Sequence, residues 1–318
     1  MKQPKVIVIT GPTATGKSAL GALLAKSGNG EVVSADSMQI YKYLDIGTAK
    51  PTQEERLAVP HHMVDIVPPW EDYSVARYVT DAARCIDGIV MRGRLPIIVG
   101  GTGLYIDSLL SGRDFSARGG GGLRREIEAD YETLGGDAML LKLREFDPES
   151  AIKLHPNDKK RIVRAFEVLR TTNIPISQHD RETKAMPPRY DAIKIALTFS
   201  DRMELYARIN RRIDLMLEKG LRDEVSDLLD MGVPPGCTAM QAIGYKEMVD
   251  VVFGNCSLES AADMIKMETR RYAKRQLTWL RRDVSVRWAI MDNDCGETAA
   301  LQALCGILED YCEPGNLV

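Results

Sequence analysis

The chain has 318 residues, of which 44% are apolar and 27% are charged, and its formal net charge is −3. This composition is typical of a folded globular protein and excludes a disordered or fibrous chain, and the length predicts about two domains. The slightly acidic balance excludes a whole-molecule field that attracts nucleic acid, so a nucleic-acid site has to be a local basic patch.

The sequence also argues against export and against a membrane. No window is long and apolar enough for a membrane span, and the amino-terminal run MKQPKVIVIT is too short for a signal peptide. The six cysteines include no C-x-x-C pair, so neither a zinc site nor a disulfide framework is predicted. We therefore expect a cytoplasmic protein that makes no membrane contact.

The first hundred residues predict strands that alternate with helices. A β-branched apolar run at residues 5–10 predicts a buried strand, and a glycine-rich loop and a helix follow it. GEVVSADS predicts a second strand that ends at Asp36, residues 74–91 predict a helix, and LPIIVGG predicts a third strand that ends at Gly101. Strands that alternate with helices favour a parallel α/β sheet.

The pattern changes near Gly112. SGRDFSARGGGG predicts a flexible loop, and residues 123–178 show only helical patterns. Strand character returns at residues 193–199, and a helix opened by Asp201 follows it. A long helix at residues 257–282 and a strand at 286–292 complete the chain's predicted elements.

Residues 11–18, GPTATGKS, fit the phosphate-binding pattern G-x-x-x-x-G-K-[ST] between a strand and a helix. Glycines let the backbone N–H groups surround phosphate oxygens, Lys17 adds a positive charge, and the Ser18 hydroxyl is a natural Mg²⁺ ligand. The predicted phosphate contacts are Gly11, Pro12, Thr13, Ala14, Thr15, Gly16, Lys17 and Ser18. The motif predicts a phosphate ligand but does not identify the reaction.

These patterns predict an α/β fold with a P-loop NTPase-like parallel sheet core flanked by helices. The core would comprise residues 1–112 and 191–318, and an all-helical insertion domain would comprise residues 113–190. ATPases and GTPases usually carry an Mg²⁺-supporting aspartate at the end of another apolar strand. Here LPIIV ends in Gly-Gly-Thr, which weakens the interpretation as a hydrolase.

Asp36 and Thr102 follow predicted strands, whose carboxyl ends face the ligand crevice in open α/β sheets. An aspartate there would bind Mg²⁺, hold a substrate hydroxyl or act as a general base, and its structural alternative is a turn residue. Thr102 would bond a substrate or a leaving phosphate, or only cap the helix that follows. His61-His62 lacks a third metal ligand at suitable spacing, and we expect hydrogen bonding there rather than a metal.

Basic residues cluster in two places. RRYAKRQLTWLRR, residues 270–282, holds basic residues on one helical face, and a second cluster at 159–164 lies in the predicted insertion. A solvated basic face is one interpretation, and binding of nucleic-acid phosphates is the other.

Several stretches, taken together and in order, resemble the bacterial tRNA dimethylallyltransferase (tRNA isopentenyltransferase) family. They are GPTATGKS, SADSMQIYKYLDIGTAKP, VPHHMVDIV, PIIVGGTGLYI, HPNDKKRIVRAFEV, QAIGYKE and KRQLTWLRR. One departure is the RGGGG run before LRREIE, where the family usually has an acidic, proline-containing loop.

The resemblance implies transfer of a dimethylallyl group from dimethylallyl diphosphate to N6 of the adenine immediately 3′ of the anticodon, in tRNAs that read codons beginning with U. It implies that Asp36 is the general base, that Thr102 positions the reactants, and that Arg124 is linked to activity. Lys17, Mg²⁺ at Ser18 and Arg208 would hold the diphosphate. We expect the enzyme to act as a monomer on the tRNA anticodon stem-loop.

The same resemblance implies a set of tRNA contacts on three segments, to which we add the basic helix. The expected contacts are Asp36, Ser37, Met38, Gln39, Lys160, Arg161, Arg164, Gln241, Gly244, Tyr245, Lys246, Arg271, Lys274 and Arg275. Two other function classes stay open at this point: an ATP-dependent small-molecule kinase, and a non-catalytic RNA-binding or nucleotide-switch protein.

Overall fold

The structure, a computed structural model, describes residues 3–111 and 121–292. It divides the chain into two compact units. One unit, called the α/β unit below, comprises Met1–Leu110 and Tyr190–Val318, and the other, called the helical unit, comprises Ser111–Arg189. Each unit contains its own cluster of buried apolar side chains.

The described strands form one parallel sheet in the α/β unit. They are β1 (Lys5–Thr10), β2 (Gly30–Ser34), β3 (His61–His62), β4 (Leu95–Val99), β5 (Asp191–Thr198) and β6 (Val286–Ile290). Their order across the sheet is β3-β2-β4-β1-β5-β6. Because β4 lies between β1 and β2, the carboxyl ends of these three strands meet at one edge, where open α/β sheets bind ligands. The predicted α/β fold is confirmed.

The helices follow the chain in this order. They are α1 (Lys17–Ser27), α2 (Gln53–Ala58), α3 (Val75–Met91), α4 (Gly103–Leu110), α5 (Gly121–Leu134), α6 (Gly136–Phe146), α7 (Pro148–Lys153), α8 (Lys159–Thr172), α9 (Ile176–Lys184), α10 (Arg202–Glu218), α11 (Leu221–Asp230), α12 (Tyr245–Val252) and α13 (Leu258–Leu280). In the part of the chain that the structure describes, none of them has the length and apolar character needed to cross a membrane.

The sheet is the centre of the core of the α/β unit. Ile7, Ile9, Ile97 and Ile195 are buried on neighbouring strands, as their β-branched runs predict. The first helix packs closely on β4, because a Cβ built on Gly21 of α1 would lie 2.5 Å from the Val99 side chain. Close packing at this point fixes the loop that joins β1 to α1.

The helical unit contains α5 to α9 and has its own apolar core, which includes Ile127, Leu143 and Ile162. The Asp147 carboxylate accepts a hydrogen bond from the Ser150 N–H at 2.9 Å and so caps the start of α7. The predicted loop over 111–122 falls mostly on residues 112–120, which lie outside the described residues. Its last two glycines do not belong to a loop, because α5 begins at Gly121.

Candidate active site

The phosphate loop (residues 11–18) makes a tight turn between β1 and α1. Gly11 has φ 140°, and a Cβ there would lie 2.5 Å from the Leu197 carbonyl oxygen. Gly16, with φ 84°, precedes the first residue of α1. The Lys17 ammonium donates to the Pro12 carbonyl at 2.6 Å, closing the loop on itself. These positive φ values explain why the motif needs glycine at both ends.

Gln276 on α13 joins the phosphate loop to the end of β4. Its Oε1 accepts a hydrogen bond from the Thr13 N–H at 3.0 Å, and its Nε2 donates to the Gly101 carbonyl at 2.9 Å. The side chain is buried, and a Cβ on Gly101 would lie 2.3 Å from Nε2. Sequence reasoning missed Gln276, although its place between the basic residues of α13 marks a helix position that faces inward.

Asp36 lies two residues beyond β2, which ends at Ser34 rather than at Asp36 as predicted. Its Oδ1 accepts the Met38 N–H at 2.8 Å, as in an Asx turn. Its Oδ2 has no hydrogen-bond partner among the residues that the structure describes. One oxygen therefore holds the turn, and the other is available for a ligand.

Thr102 lies beside Asp36, because the adjacent strands β2 and β4 end at the same edge. Its Oγ1 accepts the Ser37 N–H at 3.1 Å and donates to the Ser37 hydroxyl at 3.4 Å. The Thr102 side chain thus connects two segments, in addition to lying immediately before α4. The structure brings the two predicted residues Asp36 and Thr102 together.

Two adjoining cavities open at this edge of the sheet. The larger, of about 340 Å³, has Asp36 at a polar end and apolar side chains from α10 and α13, including Ile209, Ile213 and Ile265. The smaller, of about 70 Å³, is lined by Lys17, Ser18 and Asp36. Thr13, Asp36, Arg212 and Tyr272 line both cavities. A phosphate group at the phosphate loop and an apolar group in the larger cavity would therefore be neighbours.

Lys17 and Arg212 make this site strongly cationic. The pKa of Lys17 is lowered from 10.5 to about 7, chiefly by burial and then by the nearby Arg212 guanidinium, while Asp36 acts in the opposite direction. Burial likewise lowers the pKa of Arg212, again opposed by Asp36. Arg212 has no ion pair or hydrogen bond within the described part of the chain. Two cations face one carboxylate, so an anion bound between them would be stabilised.

Sequence reasoning missed Arg212. The available signal was its spacing, because Arg212 lies three and four residues from Ile209 and Met216 and so shares their helical face. Arg208, which was predicted, lies near the phosphate loop: its Nε donates to the Ala14 carbonyl at 3.3 Å, and its guanidinium lies 5.1 Å from the centre of the Phe199 ring.

The predicted tRNA contacts of the α/β unit divide into two groups. Ser37, Met38, Gln241 and Gly244 line the larger cavity. Gln39 and Tyr245 are buried and bonded within the protein, and Tyr245 is 0% exposed. Gln39 also lines the smaller cavity, and the tRNA contacts of both residues stay predictions. Lys246 lies at the start of α12 with its ammonium 3.3 Å from Glu247.

The basic helix α13 has an outer and an inner face. Arg271, Lys274 and Arg275 are exposed on the outer face, as their spacing predicts. Arg275 also lines the larger cavity, with its guanidinium 5.7 Å from the centre of the Tyr272 ring. One helix therefore supplies surface cations and, through Tyr272 and Gln276, two side chains of the site.

The remaining predicted residues belong to the helical unit. Lys160 and Arg161 are exposed in the first turn of α8. Arg164 donates to the buried carboxylate of Glu167 at 2.9 Å, and the Arg124 guanidinium lies 3.7 Å from the same carboxylate. Arg124 and Arg164 thus share one acidic partner, and their roles in activity and in tRNA binding stay predictions.

The donor groups at the phosphate loop suit Mg²⁺. Ser18 and Asp36 both line the smaller cavity and offer oxygen atoms, the type of ligand that Mg²⁺ prefers. No group of three or more His, Cys, Asp or Glu side chains suited to a metal occurs in the described residues. His62, by contrast, hydrogen bonds to Glu31 at 2.6 Å.

Comparisons with known proteins agree with this geometry. The family model described as IPP transferase matches residues 39–283, and the model described as Isopentenyl transferase matches residues 4–61. The chain belongs to the IPP transferase family. It is 49% identical over 288 residues to a tRNA dimethylallyltransferase of Acetivibrio thermocellus, covering 90% of this chain and 92% of that relative.

Solved structures of the family have the same fold. A full-length tRNA isopentenylpyrophosphate transferase from Bacillus halodurans superposes with a TM-score of 0.70 at 43% identity, covering 97% of this chain and 98% of that one. A eukaryotic dimethylallyltransferase described as acting on tRNA superposes with a TM-score of 0.83 at 32% identity, covering 97% of this chain and 79% of that one.

Proposed function

We propose that this protein transfers a dimethylallyl group from dimethylallyl diphosphate to N6 of the adenine immediately 3′ of the anticodon in tRNAs that read codons beginning with U. Membership of the IPP transferase family supports transfer of a dimethylallyl group to tRNA. The acceptor base, the donor and the residue roles are our proposal. We further propose that the enzyme acts in the cytoplasm as a monomer.

One observation carries the proposal: the phosphate loop and Asp36 face the same pair of adjoining cavities, and apolar side chains of α10 and α13 line part of the larger one. A diphosphate held by Lys17 and Arg212 would place its dimethylallyl group in the larger cavity. There the free Oδ2 of Asp36 would face the acceptor base. A small-molecule kinase would need neither this apolar cavity nor the two basic clusters.

The reaction breaks the bond between the allylic carbon and the diphosphate oxygen and forms a bond from that carbon to N6. The diphosphate leaves with the bonding electrons, and its negative charge is stabilised by Lys17, Arg212 and the N–H groups of the phosphate loop. Asp36 Oδ2 accepts the proton that N6 loses. Thr102, held by Ser37, positions the reactants.

Mg²⁺ at Ser18 would neutralise part of the diphosphate charge when it is bound. Arg208 lies near the loop and would add to the same electrostatic effect. The adenine has to leave the anticodon-loop stack to reach the cavity, which costs a few kcal/mol. We propose that the basic faces around Arg271 and Arg161 offset part of that cost by binding tRNA phosphates.

The experiment that tests the proposal combines purified protein, unmodified tRNA, Mg²⁺ and dimethylallyl diphosphate labelled in the dimethylallyl group, without ATP. We expect label in the tRNA, and none when the adenine 3′ of the anticodon is replaced by guanine. Asp36→Asn should abolish transfer while tRNA affinity changes modestly. Absence of label together with tight ATP binding would favour a kinase and would contradict the proposal.

A further inference from the structure

The carboxylate of Glu224 on α11 accepts four hydrogen bonds from two other segments of the α/β unit. Oε2 accepts the N–H groups of Asp45 at 3.0 Å and Ile46 at 2.8 Å. Oε1 accepts the Gly47 N–H at 3.3 Å and the Tyr245 hydroxyl at 2.5 Å. Successive backbone N–H groups that converge on one anion form a stable nest. Glu224 therefore ties α11 to a loop of the chain and to the start of α12.

These three segments form one side of the larger cavity. Gly47 and Thr48 line it from the loop, Leu221 lines it from α11, and Gly244 lines it immediately before α12. Glu224 is not among the residues that line the cavity. It lies behind this wall and holds its three parts together.

The three segments of this wall are closely packed. A Cβ built on Gly47 would lie 2.4 Å from the Tyr245 ring and 2.9 Å from a methyl group of Leu221. The Tyr245 side chain is fully buried, so its hydroxyl needs a partner inside the protein. Glu224 supplies that partner, and loss of the carboxylate would leave the buried Tyr245 hydroxyl without it.

We propose that Glu224 is a positioning residue for the acceptor RNA, which holds the loop at Gly47 and the segment before α12 in the arrangement that admits the base. This inference rests on the proposed function. The cavity-lining residues Gln241 and Gly244 are among the expected tRNA contacts, and they belong to the segment that Glu224 fixes through Tyr245. None of the four groups bonded to Glu224 belongs to the phosphate loop. Glu224 should therefore affect acceptor binding more than donor binding, because the donor's diphosphate is held by the phosphate loop.

The test is steady-state kinetics of Glu224→Gln with tRNA and dimethylallyl diphosphate varied separately. Glutamine keeps the size of the side chain but loses the charge and one acceptor oxygen. We expect the KM for tRNA to rise about tenfold or more, as loss of hydrogen bonds to a charged group predicts, with kcat within about twofold of wild type and a smaller rise in the donor KM. Asp227→Asn, an exposed neutralisation one turn along α11, is the matched control and should change neither KM.

A loss of folded protein alone would lower kcat without raising the KM for tRNA. An unchanged tRNA KM in Glu224→Gln, or an equal rise in both KM values, would overturn the inference. If Glu224→Gln does not fold, Tyr245→Phe decides the question, because it removes one of the four bonds and should raise the tRNA KM less but in the same direction. Failure of the proposed function is distinguishable, since wild-type protein would then transfer no label at all.

Discussion

The Thr13 N–H donates a hydrogen bond to Oε1 of Gln276, 263 positions along the chain, at 3.0 Å. This bond attaches the phosphate loop to α13, whose outer face carries the exposed cations Arg271 and Lys274. A single helix thereby contributes to the predicted donor site and to the predicted RNA surface. The phosphate loop is supported from behind by a side chain that the loop motif does not include.

Gln276→Ala should weaken donor binding. It leaves the Thr13 N–H and the Gly101 carbonyl without this partner, which costs about 1–3 kcal/mol for each buried group. We expect a higher KM for dimethylallyl diphosphate and a lower free energy of unfolding. Thr278→Ala is the control, because Thr278 is exposed on the outer face and bonds only within its own helix at the Lys274 carbonyl. If donor KM is the same in both variants, Gln276 does not support the loop.

Donor binding should depend on pH near neutrality, through Lys17. Its pKa in the free protein is lowered to about 7, chiefly by burial and then by Arg212. Only protonated Lys17 attracts the diphosphate, so as pH rises above 7 the donor KM should rise by up to about tenfold per pH unit. Measurement of the donor KM between pH 7 and 9 checks this, and a flat profile would mean that Lys17 stays protonated in the free protein.

Arg212→Gln tests the interaction between Lys17 and Arg212 in a second way. Removal of the guanidinium removes one cause of the low pKa of Lys17, so the rise in donor KM should begin at a higher pH. The donor KM at pH 7 should also rise about tenfold or more, as expected for loss of a charge-assisted contact. The two effects separate a diphosphate contact from a merely structural arginine, which would leave the pH profile in place.

Glu31 should make folding sensitive to acid. Hydrogen bonds from Arg92 and His62 lower the pKa of this buried carboxylate from 4.5 to about 2, and burial opposes them. Because the folded-state pKa is lowered, the stabilisation is fully present above pH 4.5 and is lost as pH falls toward 2, by roughly 3 kcal/mol in total.

Urea unfolding of wild type and Glu31→Gln between pH 4.5 and pH 2 measures the difference in their free energies of unfolding. The variant should lack this part of the pH dependence, while Glu54→Gln, an exposed carboxamide substitution on α2, should retain it. Parallel curves for wild type and Glu31→Gln would show that Glu31 has no lowered pKa.

The exposed cations of α8 should set the salt dependence of tRNA binding. Lys160 and Arg161 lie in the first turn of α8, and each phosphate contact contributes about one unit to the slope of log affinity against log salt. Lys160→Ala and Arg161→Ala should each weaken binding and flatten that slope. Lys142→Ala, an exposed lysine of α6, is the control. Slopes equal to that of wild type would remove α8 from the RNA interface.

The sequence predicted the elements whose local pattern is strong. β1 and β4 are β-branched apolar runs, and the phosphate loop has glycines where positive φ values occur. It did not predict β3, since two residues show no periodicity. It extended β2 to Asp36, although β2 ends at Ser34; Ala35 is as buried as the strand, and its N–H still donates to the Val99 carbonyl of β4 at 2.8 Å.

The sequence predicted only part of the candidate site. Asp36 and Thr102 were identified because strand ends meet at one edge of the sheet. Arg212 and Gln276 were missed although their helical positions carried a signal, because a charged or polar helix residue is ordinarily interpreted as exposed until its packing partners are known. Tyr245 was predicted to contact RNA because it lies in the motif QAIGYKE. In the structure its side chain is buried and packs against Gly47.

The most direct test of the central claim is analysis of the nucleosides in tRNA after incubation with the protein, dimethylallyl diphosphate and Mg²⁺ in the absence of ATP. Our account predicts N6-isopentenyladenosine at the position immediately 3′ of the anticodon and at no other adenine, with release of diphosphate. Unmodified tRNA, or label at another base, would contradict the assignment of the phosphate loop to a prenyl donor and of the larger cavity to that adenine.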